Sequence, residues 1–229
     1  TDWLDLDGSR YHFGTDGSLD IHWFSADGSR YYADETGTIQ TGWQDIEFQR
    51  YYLGEDGKAY TGWMEWQDHT YYFGEDGAMA LGFMPIGDKN YYFGEDGILH
   101  TGALTVHDKE YLFGEDGVMY TGWLEQEGTR VYYVPGPGHK ATGWEEIEGK
   151  RYYFGEDGTM QTGWLQLGEY RYYLLSDGSA AVGPTDIDGT TYYFSPKGIH
   201  VVLVNADHKV PDYYTMKLVT AEDVHRVSE

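Results

Sequence analysis

The sequence predicts an all-β fold, a β-solenoid of about ten stacked 20-residue β-hairpin repeats. Two observations carry that reading. A Tyr-Tyr-Phe tripeptide, or a close variant, recurs along nearly the whole chain, its first tyrosine at Tyr11, Tyr31, Tyr51, Tyr71, Tyr91, Tyr111, Tyr132, Tyr152, Tyr172 and Tyr192. The step is 20 residues throughout, apart from one of 21 between Tyr111 and Tyr132. A fixed short period signals an array in which each unit touches mainly its neighbours. The second observation is the punctuation of each unit by two turn signals.

The elements follow in order within the unit at positions 142–161. Gly143-Trp144 opens a short run suited to a strand. Glu148-Gly149 then marks a two-residue turn, with Asp7-Gly8, Asp27-Gly28 and Asp188-Gly189 at the same phase. Such dipeptides favour hairpins because the turn needs positive φ at both positions. Arg151-Tyr152-Tyr153-Phe154 forms the second strand. Gly155-Glu156-Asp157-Gly158 ends it, matched at 54–57, 74–77, 94–97 and 114–117, and a loop leads to the next Gly-Trp. Strand alternation places Tyr152 with Phe154 on one face and Arg151 with Tyr153 on the other. The first face, like Tyr71 with Phe73 and Tyr132 with Val134, is the expected core, joined by Met79, Leu99, Met119 and Met160. A lone hairpin is marginal in water, so each must bury this face against a neighbour.

Composition agrees. The 229 residues include 23 tyrosines and 32 glycines, so aromatic rings must supply most of the buried area. There is no cysteine, which removes disulfides and thiolate metal sites. A formal charge of −24 disfavours nucleic acid and anionic lipid, both of which call for a basic face. No apolar run approaches the roughly 20 residues of a membrane helix, so membrane insertion is not expected. No leader precedes Thr1, so a secreted parent would be present here in mature or trimmed form.

The series Gly-Trp, turn glycine, Tyr-Tyr-Phe, Asp-Gly, Met, Thr-Gly-Trp resembles the cell-wall-binding repeats of Gram-positive surface proteins. That superfamily contains choline-binding, glucan-binding and clostridial-toxin branches. The resemblance covers residues 1–199 and implies ligands held by aromatic side chains at the joints between consecutive hairpins. It also implies an extracellular or wall-associated location, and cell-wall polysaccharide or teichoic acid as partner. In the choline branch a second tryptophan precedes the Tyr-Tyr pair and completes an aromatic cage. Here that position holds Arg10, Arg30, Arg50, Thr70, Asn90, Glu110, Val131, Arg151, Arg171 and Thr191. Five of the seven arginines occupy it, and a guanidinium would repel a ligand cation. The same group stacks on indole and presents a donor fork to oxygen ligands, which suits carbohydrate or an anionic polymer. The alternative is that the arginine only covers the tryptophan face.

The expected ligand-binding residues lie at four joints: Trp43 with Arg50 and Tyr52, Trp63 with Tyr72, Trp144 with Arg151 and Tyr153, and Trp164 with Arg171 and Tyr173. The tryptophan is replaced by Phe83, Ala103 and Pro184 elsewhere, and the Ala103 joint has lost its platform. Val134-Pro135-Gly136-Pro137-Gly138 interrupts a turn and should offset the stack locally. The Glu-Asp loops suit turn chemistry better than calcium, which wants 6–8 oxygens. His200 and Asp207 share a spacing with some zinc carboxypeptidases, but the strand-like run between them lacks that family's glycine. No metal, cofactor or catalytic residue is assigned.

Residues 200–229 break the period. Their Leu203-Val204-Asn205 run and Pro211-Asp212-Tyr213-Tyr214 resemble the entry into VanY-type D-alanyl-D-alanine carboxypeptidases, whose zinc ligands would lie beyond Glu229. The resulting expectation is a non-catalytic wall-binding module that targets a peptidoglycan-processing enzyme. A choline-binding module and a ligand-free structural spacer are the alternatives, and a homodimer stays open.

Overall fold

The computed structural model describes residues 2–126 and 128–201. It is all-β, built of short strands that pair antiparallel within each repeat. The strands are β1 (Asp2–Leu6), β2 (Ser9–Phe13), β3 (His22–Ala26), β4 (Ser29–Ala33), β5 (Gly42–Ile46), β6 (Gln49–Leu53), β7 (Gly62–Trp66), β8 (His69–Phe73), β9 (Gly82–Ile86), β10 (Lys89–Phe93), β11 (Gly102–Val106) and β12 (Lys109–Phe113). They continue as β13 (Gly122–Gln126), β14 (Thr129–Tyr133), β15 (Gly143–Ile147), β16 (Lys150–Phe154), β17 (Gly163–Leu167), β18 (Tyr170–Leu174), β19 (Gly183–Ile187), β20 (Thr190–Phe194) and β21 (His200–Val201). The chain divides into two compact units, residues 2–104 with 112–119, and 105–111 with 120–201, the division falling within β11 and β12.

The hairpin turns explain themselves at Asp7-Gly8 and Glu148-Gly149, where φ is 50° and 83°, and 52° and 74°. Both central residues are left-handed, the geometry that matches strand twist. At Glu47-Phe48 the same geometry, with φ of 50° and 69°, is imposed on two residues with side chains. The pairing on either side, Ile46 with Gln49 and Asp45 with Arg50, leaves no slack for another turn.

The connecting loops are equally regular. In 54–57 the Gly57 amide donates to the Gly54 carbonyl, and the Gly54 amide donates to that of Lys58, both at 2.8 Å. Asp56 Oδ1 accepts the Lys58 amide at 3.1 Å, and Asp76, Asp157 and Asp177 act alike in their own loops. At Asp177 the Ser179 hydroxyl and amide, with Lys150 beside them, hold the carboxyl down to about 2. These aspartates are therefore structural caps. Beyond each loop the chain bonds twice. The Tyr60 amide donates to Tyr52 of its own hairpin, and the Ala59 amide to Arg30 of the preceding one, both at 2.8 Å. At Gly97 a Cβ would overlap the Met79 side chain of the preceding loop, so glycine is needed for space as well as for its φ of 79°.

The core follows the predicted alternation. Phe73, Phe93 and Phe154 are wholly buried, with Tyr71, Tyr91 and Tyr152 nearly so, while Tyr72, Tyr92 and Tyr153 are half-buried on the opposite face. Each buried phenylalanine is worth about 1.5–3 kcal/mol of transfer free energy. Met79, Leu99 and Met160 pack against these clusters as expected.

One repeat corrects the expected phase. Tyr132 pairs with Trp123 and Val131 with Leu124, so Tyr132 corresponds to the second tyrosine of other units. Val131 and Tyr133 are buried where Tyr152 and Phe154 sit elsewhere. The arginine position of this unit is Arg130, not Val131, and the twenty-residue step therefore holds up to β14. The extra residue is absorbed after it, in the proline-glycine turn, where Gly138 donates to Val134 over four residues. At the end of the described chain His200 and Val201 pair with Phe194 and Tyr193, so antiparallel pairing reaches residue 201. Asp207 and the carboxypeptidase-like run lie outside the described residues.

Phe48 is fully exposed at a φ that L-residues disfavour by about 1–2 kcal/mol. Phe48→Gly removes no packing and should raise the thermal midpoint by ~2–4 °C, as a gain of about 1 kcal/mol would. A lower midpoint in calorimetry would contradict this turn geometry.

Candidate functional site

Every expected site residue lies where one hairpin meets the next. The cross-strand register sets Trp43 opposite Tyr52, Trp63 opposite Tyr72, Trp144 opposite Tyr153 and Trp164 opposite Tyr173. Ring centroids within these pairs are 5.1–5.3 Å apart and T-shaped. Each indole also meets the first tyrosine of the following hairpin: Trp43 with Tyr71 at 5.3 Å, Trp63 with Tyr91 at 4.9 Å, Trp144 with Tyr172 at 4.8 Å, Trp164 with Tyr192 at 5.0 Å. The front face of one hairpin thus stacks on the back face of the next. Edge-to-face geometry of this kind contributes about 0.5–1.5 kcal/mol per pair beyond area burial.

Arginine completes the joint. The guanidinium carbons of Arg50, Arg151 and Arg171 lie 5.5, 4.1 and 3.7 Å from the ring centroids of Trp43, Trp144 and Trp164. Arg10 over Trp3, Arg30 over Trp23 and Arg130 over Trp123 repeat the arrangement at 4.1–4.2 Å. Two further contacts hold the group. In three of the six the Nε faces a carboxylate directly across the hairpin: Asp5 for Arg10 at 3.8 Å, Asp45 for Arg50 at 3.2 Å and Glu125 for Arg130 at 3.3 Å. An Nη1 donates to a loop carbonyl 46 residues further on, from Arg10 to Asp56 at 3.3 Å, from Arg30 to Asp76 at 2.5 Å and from Arg151 to Lys197 at 2.5 Å. Arg10 makes all three contacts, as a planar five-donor group can, whereas Arg30 and Arg171 face Ser25 and Gln166 across the hairpin and meet no carboxylate there.

The joints differ in useful ways. Trp66 adds a further ring against Trp43, centroids 5.4 Å apart, and the Trp43 Nε1 is buried without a hydrogen-bond partner. At Trp164 the His200 imidazole lies 5.7 Å from the indole, and burial together with Arg171 pushes its pKa down. Trp63 has no arginine. Thr70 stands at that position, Trp63 is 40% exposed, and a cavity of about 340 Å³ opens beside it.

Sequence reasoning overlooked the joint of Trp123, Arg130 and Tyr132, where the indole meets Tyr152 at 5.0 Å and Phe154 at 5.8 Å. The signal was present. Arg130 follows the turn glycine Gly128 by two residues, as Arg151 follows Gly149.

Comparison with known proteins places this geometry. The choline-binding repeat family matches residues 40–82 and 141–183, which contain Trp43, Trp63, Trp144 and Trp164. The resemblance to the cell-wall-binding repeats therefore stands. CbpJ from Streptococcus pneumoniae TIGR4 is 25% identical with a TM-score of 0.69, covering 93% of this chain and 92% of that one. CbpF in complex with ipratropium is 26% identical with a TM-score of 0.60, covering 93% and 90%. Choline binding protein F from Streptococcus pneumoniae in another crystal form, 24% identical with a TM-score of 0.57, shares the fold over 93% and 96%. No curated protein sequence matches.

The corrected phase predicts unequal costs at neighbouring positions. Val131→Asp, placing a charge in the core, should cost more than about 2 kcal/mol in denaturant unfolding. Arg130→Ala, losing a cation–π contact, should cost about 1 kcal/mol. Tolerance of Val131→Asp would restore the rejected register.

Proposed function

We propose that this chain is a non-catalytic cell-wall-binding module, acting at the cell surface, that holds a wall glycopolymer at its aromatic joints. The observation that carries the reading is the repetition of one joint at matching register, within segments that match the choline-binding repeat. We read the ten repeats as one β-solenoid, supported by the nearly unbroken period of the sequence. The ligand-binding residues are Trp43, Arg50 and Tyr52; Trp63 and Tyr72; Trp144, Arg151 and Tyr153; and Trp164, Arg171 and Tyr173. Indole edges and guanidinium donors together suit saccharide hydroxyls or polymer phosphates. Individually weak contacts become useful when several joints engage one polymer. The carboxypeptidase-like sequence after residue 201 supports a role in targeting a peptidoglycan-processing enzyme.

A second reading, choline on a decorated teichoic acid, is favoured by the family match itself. The arginine cap argues against it at the Trp144 joint, since a quaternary ammonium there would have to displace Arg151 from the ring.

Sedimentation with purified Gram-positive wall separates these readings. The wild-type chain should pellet, and Trp144→Ala with Trp164→Ala should reduce retention about tenfold, a loss of about 1.4 kcal/mol. Arg151→Ala should weaken retention on a choline-free wall. Elution by low-millimolar choline together with stronger retention of Arg151→Ala would favour the choline reading, and wild-type protein left in the supernatant would make the chain a spacer.

A further inference from the structure

We propose that the Trp63 joint is a binding site for a guanidinium group supplied from outside this chain. The proposal rests on the reading of the joints as ligand sites and assigns the Trp63 joint a ligand other than the glycopolymer. Six of the eight tryptophans carry a guanidinium over the ring; Arg10, Arg50 and Arg130 also face a carboxylate across the hairpin, and Arg10, Arg30 and Arg151 donate to a loop carbonyl 46 residues further on, so that Arg10 combines all three contacts.

The Trp63 joint keeps all three parts. Trp63 supplies the ring, backed by Tyr91 at 4.9 Å. Glu65 stands across the hairpin, paired with Thr70 as Asp45 is paired with Arg50. Position 116 lies 46 residues beyond Thr70, the separation that links Arg10 to Asp56, Arg30 to Asp76 and Arg151 to Lys197. Asp116 lines the cavity together with Glu115, Leu99, Glu65 and Trp63. Only the side chain that fills this space elsewhere differs. Thr70 is short, and its hydroxyl donates to Glu65 Oε1 at 2.8 Å.

The chemistry selects among cations. The ring face attracts any cation, but Glu65 and the carbonyl of the 115–116 loop are acceptors that call for an N–H or O–H donor, which a quaternary ammonium lacks. Choline has no N–H, and the third aromatic wall that would compensate is Thr70. A neutral sugar would leave the carboxylates without a counter-charge. A guanidinium satisfies ring, carboxylate and carbonyl at once, as Arg10 does at the Trp3 joint.

Calorimetric titration of the whole chain at low salt tests the assignment, with methylguanidinium and N-acetylarginine amide as probes and choline as comparator. Saturable binding of both guanidinium probes is expected, at least tenfold tighter than choline. Glu65→Gln should weaken it about tenfold. Thr70→Arg, which supplies the group internally as the sibling repeats do, should abolish it. Absence of saturable binding, equal binding by Thr70→Arg, or choline binding as tightly as methylguanidinium would overturn the site. Wall sedimentation is scored on the same protein, so loss of the guanidinium signal with retained sedimentation refutes this site alone.

Discussion

Everything in this structure depends on an indole that belongs to one hairpin and is buried by the next. A two-stranded hairpin of five-residue strands has too little apolar area to persist alone. Here Trp144 meets Tyr153 of its own hairpin and Tyr172 of the following one, and Trp123 likewise meets Tyr132 and then Tyr152. The buried clusters have the same composition, the Tyr-x-Phe face of one unit closed by rings from the unit before. Stability is therefore a property of neighbours, as in other repeat proteins.

The arginine belongs to the same scheme. In a chain of net charge −24, most cations could find a carboxylate anywhere. These guanidiniums are instead fixed over indole, and Arg30 and Arg151 also donate to carbonyls of units that are not adjacent in sequence. A ring at the same position would have made an open cage. Arginine instead lies over the indole, and Trp63, with Thr70 at the corresponding position, lacks that cover.

Much of this was legible in the sequence. The hairpin repeat, the buried Tyr-x-Phe face, the Trp-Tyr pairing and the structural role of Asp-Gly all follow from period, alternation and turn chemistry. The phase at β14 was not, because the repeat was anchored on tyrosine. In Thr129-Arg130-Val131-Tyr132-Tyr133 a valine takes the first core position, and Tyr-Tyr is displaced by one; the turn glycine is the better anchor, since pairing is counted from it. The guanidinium seat could not be read either. Its third wall comes from a loop 46 residues away, more than two periods along, and nothing local to Thr70 announces it. At residues 200 and 201 the pattern loses its tyrosines while the backbone pairing continues.

The central claim is energetic coupling between successive hairpins through the indole. A double-mutant cycle on Trp144→Leu and Tyr172→Leu, followed by denaturant unfolding, measures it directly. The account predicts a coupling of about 0.5–1.5 kcal/mol between these residues of different hairpins. Additivity within about 0.3 kcal/mol would mean that the rings do not support one another, and would contradict it.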